Sequence, residues 1–169
     1  LIERAIAPIW EANHVWLILI VVLLFTGFPR AFALISIAFH VPLTLVLLGI
    51  VLRGAAFVFR QYGENDNATN RRWGRVFAVS SLATPLFLGM ILGTLSSNVL
   101  MIHSGVPHGG FFYPWIVNPL SLFVGMLTLT LFAFLAAVYL TVEADSEELR
   151  GDFRMRSCVS LGGVVSWLA

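Results

Sequence analysis

An all-α, polytopic transmembrane helical bundle is the fold class this sequence predicts, and three observations predict it. Of the 169 residues, 59% are hydrophobic and 11% charged, with a mean hydropathy of +0.90, too apolar for a water-soluble domain. The apolar residues gather in runs of about 20, the length a helix needs to cross a hydrocarbon layer of ~30 Å. No sustained period-two alternation appears, so strands are not expected.

A single transmembrane domain is expected, with four complete spans at residues 8–28, 31–51, 76–100 and 119–142 and the start of a fifth at 157–169. Pro29 closes the first span and leaves a very tight hairpin before the second. Pro42 and Pro85 sit inside the second and third spans, predicting kinks whose freed carbonyls need a neighbour or water. Asn118-Pro119 opens the fourth with an N-cap amide and a proline at the first helical position. Phe111, Phe112, Tyr113 and Trp115 precede it as an interfacial aromatic belt. Gly89, Gly93 and Gly125 mark close helix contacts. The chain opens at Leu1 and stops at Ala169 in mid-apolar segment, as expected of an internal fragment of a longer membrane protein.

Charge placement orients the spans. Arg60, Arg71, Arg72 and Arg75 flank one connection, and Arg150, Arg154 and Arg156 follow the fourth span, whereas the other two connections hold only Arg30. The positive-inside rule then puts the second span's end, the third's start and the fourth's end in the cytoplasm. Glu11 falls about one turn inside that face. The acidic residues Glu143, Asp145, Glu147, Glu148 and Asp152 mix with arginines in a solvated cytoplasmic segment. The single Cys158 allows no internal disulfide, so cysteine usage does not reveal the redox compartment.

The residues able to carry chemistry cluster at the first span. Trp10, Glu11, Asn13, His14 and Trp16 place an acid, an amide and an imidazole between two tryptophans at the mouth of an apolar run. Glu11 and His14, three apart, share a helix side, as do Trp10 and Asn13. An ionisable group entering a bilayer costs several kcal/mol or shifts its pKa. Two readings stand: a polar notch admitting protons from the cytoplasm, or an interfacial carboxylate favoured by the helix dipole. His40, expected nearer mid-membrane, could be a haem ligand, a proton relay, or an imidazole bonded to the carbonyl that Pro42 frees. His14 and His40 make a poor pair of haem ligands, being offset in depth by ~6 Å.

Arg53, Phe57 and Arg60 form a stripe at the cytoplasmic end of the second span. Snorkelling explains it, and so does a contact with a carboxylate or lipid phosphate on a partner. His103 and His108 belong to an outer, glycine-rich connection. No P-loop, dinucleotide fingerprint or HExxH motif occurs, so redox cofactors, if any, are expected to be held mainly by another polypeptide.

Residues 7–18, APIWEANHVWLI, resemble the signature P-x-W-[DE]-x-N-x-V-W-L at the second helix of subunit II of bacterial cytochrome bd-type quinol oxidases. Gly27-Phe28-Pro29, then Pro42-Leu43 with residues 52–60 (LRGAAFVFR), and Val117-Asn118-Pro119-Leu120 follow in the same order. The chain is thus similar to that family from its second helix into its sixth. The resemblance implies a multi-pass subunit of a terminal oxidase in the bacterial cytoplasmic (inner) membrane. Quinol is oxidised at the outer face, electrons pass through haem b and haem d (or a third haem b), and dioxygen becomes water. Protons come from the cytoplasm, without pumping. Subunit I is the implied partner and holds the haems, with a small single-helix accessory subunit beside it.

The resemblance assigns proton entry to Glu11 and the neighbourhood of an oxygen entrance to Trp16. The residue pattern adds Asn13 and His14 to the proton path, Trp10 to the oxygen route or haem-facing side, structural or partner contacts at Arg53, Arg60 and Asn118, His40 as a relay candidate, and no metal ligand. His14 stands where many members carry an acid or glutamine, and His40 where an aromatic is commoner, which suggests the cyanide-insensitive-like branch. The alternatives are a proton-coupled secondary transporter or channel, and a non-catalytic assembly scaffold.

Overall fold

A computed structural model describes the backbone of residues 2–62, 67–97, 101–103, 106–108, 113–143 and 147–168, and the side chains of 15–60, 69–97, 115–142 and 149–167. Six α-helices run α1 (Ile2–Gly27), α2 (Pro29–Ala38), α3 (His40–Tyr62), α4 (Asn67–Ser96), α5 (Pro119–Glu143) and α6 (Glu147–Leu168). A two-stranded antiparallel hairpin, β1 (Met101–His103) and β2 (Val106–His108), and a π-helical turn, Tyr113–Val117, lie between α4 and α5. The hairpin departs from the purely helical expectation: three-residue strands are too short to show alternation in sequence.

Three helices are long and apolar enough to cross a membrane, at His40–Arg60, Thr69–Ser96 and Pro119–Val142. A fourth crossing results if α1 and α2, bent by 115° at Phe28, act as one. The described residues therefore hold three to four candidate spans, as in a multi-pass membrane protein.

The second span differs most from expectation. No tight hairpin leads straight into a span at 31–51. Pro29 instead opens a ten-residue helix, α2, and the apolar span begins afresh at His40. Pro42 is the reason. It is the third residue of α3, where a helix has no acceptor for its N–H, so a missing donor costs nothing there. Pro42 and Phe39 are wholly buried, and the Leu43 N–H donates to the Phe39 carbonyl at 2.9 Å. The break between α2 and α3 follows Ala38, the residue four before Pro42 whose carbonyl the proline cannot serve. Pro85 lies deep inside α4.

Two further boundaries move. Arg71, Arg72 and Arg75 ride on the first turns of α4 instead of a loop, consistent with arginine's good helix propensity. The charged stretch before residue 157 is helical in α6, with Arg156 Nε 3.0 Å from Asp152 Oδ2 one turn back.

The chain divides into two compact units, Phe39–Leu129 and Leu1–Ala38 with Thr130–Ala169. In the latter, Phe25 and Phe32 meet edge to face across the α1–α2 bend at 5.3 Å. Within the same unit, a Cβ on Gly163 of α6 would lie 3.6 Å from Thr130 Cγ2 of α5, ordinary contact distance.

In the unit Phe39–Leu129, α3 and α4 pair antiparallel. Phe59 stacks on Trp73 at 4.6 Å, Arg53 lies over Phe77, and Gly49 faces Thr84 so closely that a Cβ would strike its hydroxyl. On its other side α4 meets α5. A Cβ on Gly93 would stand 2.8 Å from the Leu120 carbonyl and from Ser121 Cα, and one on Gly89 2.8 Å from Gly125 Cα. Glycine is required there because backbones approach where side chains would otherwise intervene.

Candidate functional site

The polar notch of the first span lies in α1, a continuous helix from Ile2 to Gly27. The side chains of Trp10, Glu11, Asn13 and His14 fall outside the described residues. Trp16, the second tryptophan of the motif, is described and is 64% exposed.

His40 is not at mid-span. It is the first residue of α3 and of the apolar stretch His40–Arg60. Its imidazole is exposed and makes no hydrogen bond among the described residues, so it does not satisfy a carbonyl freed by Pro42. Only its own carbonyl is engaged, accepting from Thr44 Oγ1 at 2.7 Å. The apolar helical stretch that contains it starts nine residues later than 31.

Arg53 moves the opposite way. With the span running to Arg60, Arg53 lies seven residues, about 10 Å along the axis, inside it. Its guanidinium carbon sits 5.4 Å from the centroid of the Phe77 ring on α4, within cation–π range. Arg60 is exposed near the end of α3.

Asn118 accepts the Leu120 N–H on Oδ1 at 3.1 Å, capping α5. Its Nδ2 also donates a very short hydrogen bond to Ser97 Oγ at the end of α4. Beside this latch lies a cluster the sequence did not single out. Thr94 Oγ1 is 3.0 Å from Ser121 Oγ, and both residues are 0% exposed. Ser121 Oγ is 2.8 Å from the carbonyls of Met90 and Trp115, and Thr94 Oγ1 2.8 Å from that of Met90.

Trp115 itself is 4% exposed and meets Phe87 edge to face at 6.2 Å. It is a packed side chain within the chain, not an interfacial belt residue. The visible trace of this cluster was the small-residue spacing, Gly89-x-x-x-Gly93-x-x-x-Ser97 facing Ser121-x-x-x-Gly125. Read as packing alone, it hid the hydroxyls.

Among the described side chains His40 is the only imidazole, and no three of His, Cys, Asp or Glu gather to hold a metal ion. A single exposed histidine at a helix start does not fit a haem cradle.

Several hydrophobic helices, glycine-mediated contacts and hydroxyls satisfied between helices define a polytopic membrane protein. The particular family follows from comparison. Residues 1–169 match the family of cytochrome bd terminal oxidase subunit II, and the chain belongs to it.

The chain is 30% identical over 172 residues to the "Probable cytochrome oxidase subunit 2" of Haemophilus influenzae, covering 98% of this chain and 43% of that one. It is 28% identical over 147 residues to the cytochrome bd-I ubiquinol oxidase subunit 2 of Escherichia coli K12, covering 85% and 38%. With the cytochrome bd ubiquinol oxidase subunit 2 of Bacillus subtilis it shares 36% over 93 residues, covering 54% and 27%. The chain thus spans well under half the length of these curated relatives.

Proposed function

We propose that this chain works as part of subunit II of a bd-type terminal quinol oxidase. In this reading it supports the four-electron reduction of dioxygen to water with proton uptake from the cytoplasm, in the bacterial inner membrane. The observation that carries the reading is the family match along all 169 residues, with relatives named as ubiquinol oxidase subunits. A haem-bearing subunit I is the partner, with a small single-helix accessory subunit beside it. Haem b and haem d, or a third haem b, supply the electron path. They are held mainly by subunit I, as the family resemblance implies.

Glu11 takes up protons at the cytoplasmic mouth, aided by Asn13 and His14. The uninterrupted helix α1 supports this, because the three-residue spacing of Glu11 and His14 then puts them on one side. Trp10 and Trp16 border an oxygen route or face a haem, and the exposure of Trp16 leaves its indole available to a partner surface. Arg53, Arg60 and Asn118 hold the scaffold or the partner. His40 is a relay candidate at the exposed start of α3.

Glu11→Ala in the intact oxidase is the test. Oxygen consumption and charge separation should fall on the order of 100-fold, as when an acid–base group is lost, while haem content stays near normal. Loss of all haem would make Glu11 structural. Unchanged turnover at normal haem content would remove it from the proton path.

A further inference from the structure

Within the spanning segment His40–Arg60, Arg53 is the charge farthest from an end that carries other arginines. An intramembrane guanidinium is expensive unless it snorkels or pairs. Snorkelling describes part of its path: the Phe59–Trp73 and Gly49–Thr84 pairings set Arg53 opposite residues 79–80, and its guanidinium reaches back toward the Arg60 end as far as Phe77. The guanidinium rests over Phe77, while the Phe59–Trp73 stack closes the same helix pair on the side toward Arg60. Trp73 and Phe77 are four apart on α4 and so lie one above the other. Arg53 is held a full turn deeper than the aromatic lid. Phe77 contributes a cation–π contact, but a ring face offers guanidinium N–H groups no true acceptor. Among the described residues no carboxylate or carbonyl accepts from Arg53.

A second observation lies one turn further along the same face of α4, at Ser81, four residues beyond Phe77. Its hydroxyl is buried with no hydrogen-bond partner. Four residues on stands Pro85, which has no N–H to give the Ser81 carbonyl. Neighbouring hydroxyls do not share this state: Ser80 Oγ donates to the Val76 carbonyl at 2.7 Å and Thr84 Oγ1 to that of Ser80 at 2.8 Å. Two donors without acceptors, one cationic and one neutral, therefore occupy successive turns of one flank of the α3–α4 pair.

We propose that this flank is an intramembrane carboxylate site, completed by an aspartate or glutamate on another transmembrane helix. The Arg53 guanidinium donates to the carboxylate in the paired geometry that suits both planar groups, and Ser81 Oγ–H donates to it as well. A protein carboxylate is favoured over a lipid phosphate because Ser81, the second donor, lies one turn beyond Phe77 on the side away from Arg60, with the Phe59–Trp73 stack on the other side. The proposal rests on the membrane-subunit reading above, and its test does not depend on activity.

The experiment is Arg53→Gln in the purified, intact complex, read by infrared spectroscopy and native mass spectrometry. Removing the cation should leave the carboxylate unpaired, so that it takes up a proton. A carboxylic-acid C=O stretch absent from the unaltered complex should then appear. Breaking such a pair should also lower the yield of assembled complex about tenfold or more, whereas Arg53→Lys, which keeps the charge, should stay within a few-fold.

Should the glutamine variant not accumulate, Ser81→Ala supplies the second reading. It should shift the carboxylate stretch of the unaltered complex without abolishing assembly. A complex that loses one bound phospholipid and shows no acid stretch would overturn the proposal in favour of a lipid anion. Unaltered spectra in both variants would overturn it outright. Purification of the chain without any partner subunit would instead count against the oxidase reading.

Discussion

Ser121 of α5 donates its hydroxyl proton to the Trp115 carbonyl, 2.8 Å away and six residues earlier in the chain. The reason is the residues between them. Pro119 has no N–H, and the Leu120 N–H is taken by the Asn118 side chain, so neither of these two positions serves the Trp115 carbonyl. A hydroxyl from the following helix fills the place. Thr94 can then donate to Ser121 Oγ at 3.0 Å, which joins α4, the turn and α5 through two protons.

This arrangement predicts a coupling. Ser121→Ala should destabilise the complex by about 1–3 kcal/mol, because it removes a buried hydroxyl that reaches the Trp115 and Met90 carbonyls. Thr94→Val should cost less. The double variant should fall short of additivity by about 0.6–1.7 kcal/mol, the range seen for hydrogen bonds inside membranes. Denaturant titration of the four proteins measures this, and strict additivity would mean that the two hydroxyls act separately.

Gly93→Ala should weaken the bundle by about 1–3 kcal/mol, since its Cβ would meet backbone, the Leu120 carbonyl and Ser121 Cα, at 2.8 Å. Gly74→Ala, on the same helix with nothing within 4 Å, should be neutral or stabilising by up to about 1 kcal/mol. Thermal unfolding of both settles the comparison. Equal losses would rule out helix–helix contact as the cause.

Asn118→Ala removes a cap and a latch together, and should cost about 1–2 kcal/mol. Asn118→Asp keeps the acceptor for Leu120 but loses the donor to Ser97, so it should recover only part. Hydrogen exchange at the first turn of α5 distinguishes them. Protection should collapse in the alanine variant and largely persist in the aspartate one.

The Phe59–Trp73 stack at 4.6 Å should show a pairwise coupling of about 0.5–1.5 kcal/mol in a Phe59→Leu, Trp73→Leu cycle followed by unfolding. No coupling would mean that the rings touch without adding to the α3–α4 pairing.

Legibility followed the range of the interaction. The start of α5 could be read from Asn118-Pro119 because capping is decided within a few residues. The α4–α5 contact could be read from Gly89, Gly93 and Gly125, since small residues four apart have one main use in an apolar helix. That the Arg53 guanidinium lies over Phe77 could not be read, because the two residues are 24 apart and meet only once α3 and α4 pair. The Thr94–Ser121 pair was invisible because 27 residues separate its members.

By itself, the sequence determined that this is a multi-spanning helical protein of the bd oxidase subunit II family, and where its titratable motif lies along the chain. Hydropathy summed over about 20 residues and motif order survive without coordinates, because each residue contributes independently. Tertiary structure alone decided the 115° bend at Phe28 and the contact of Arg53 with Phe77. It also decided which hydroxyls find partners. Those outcomes depend on groups far apart in sequence competing for the same few donors and acceptors where water supplies none.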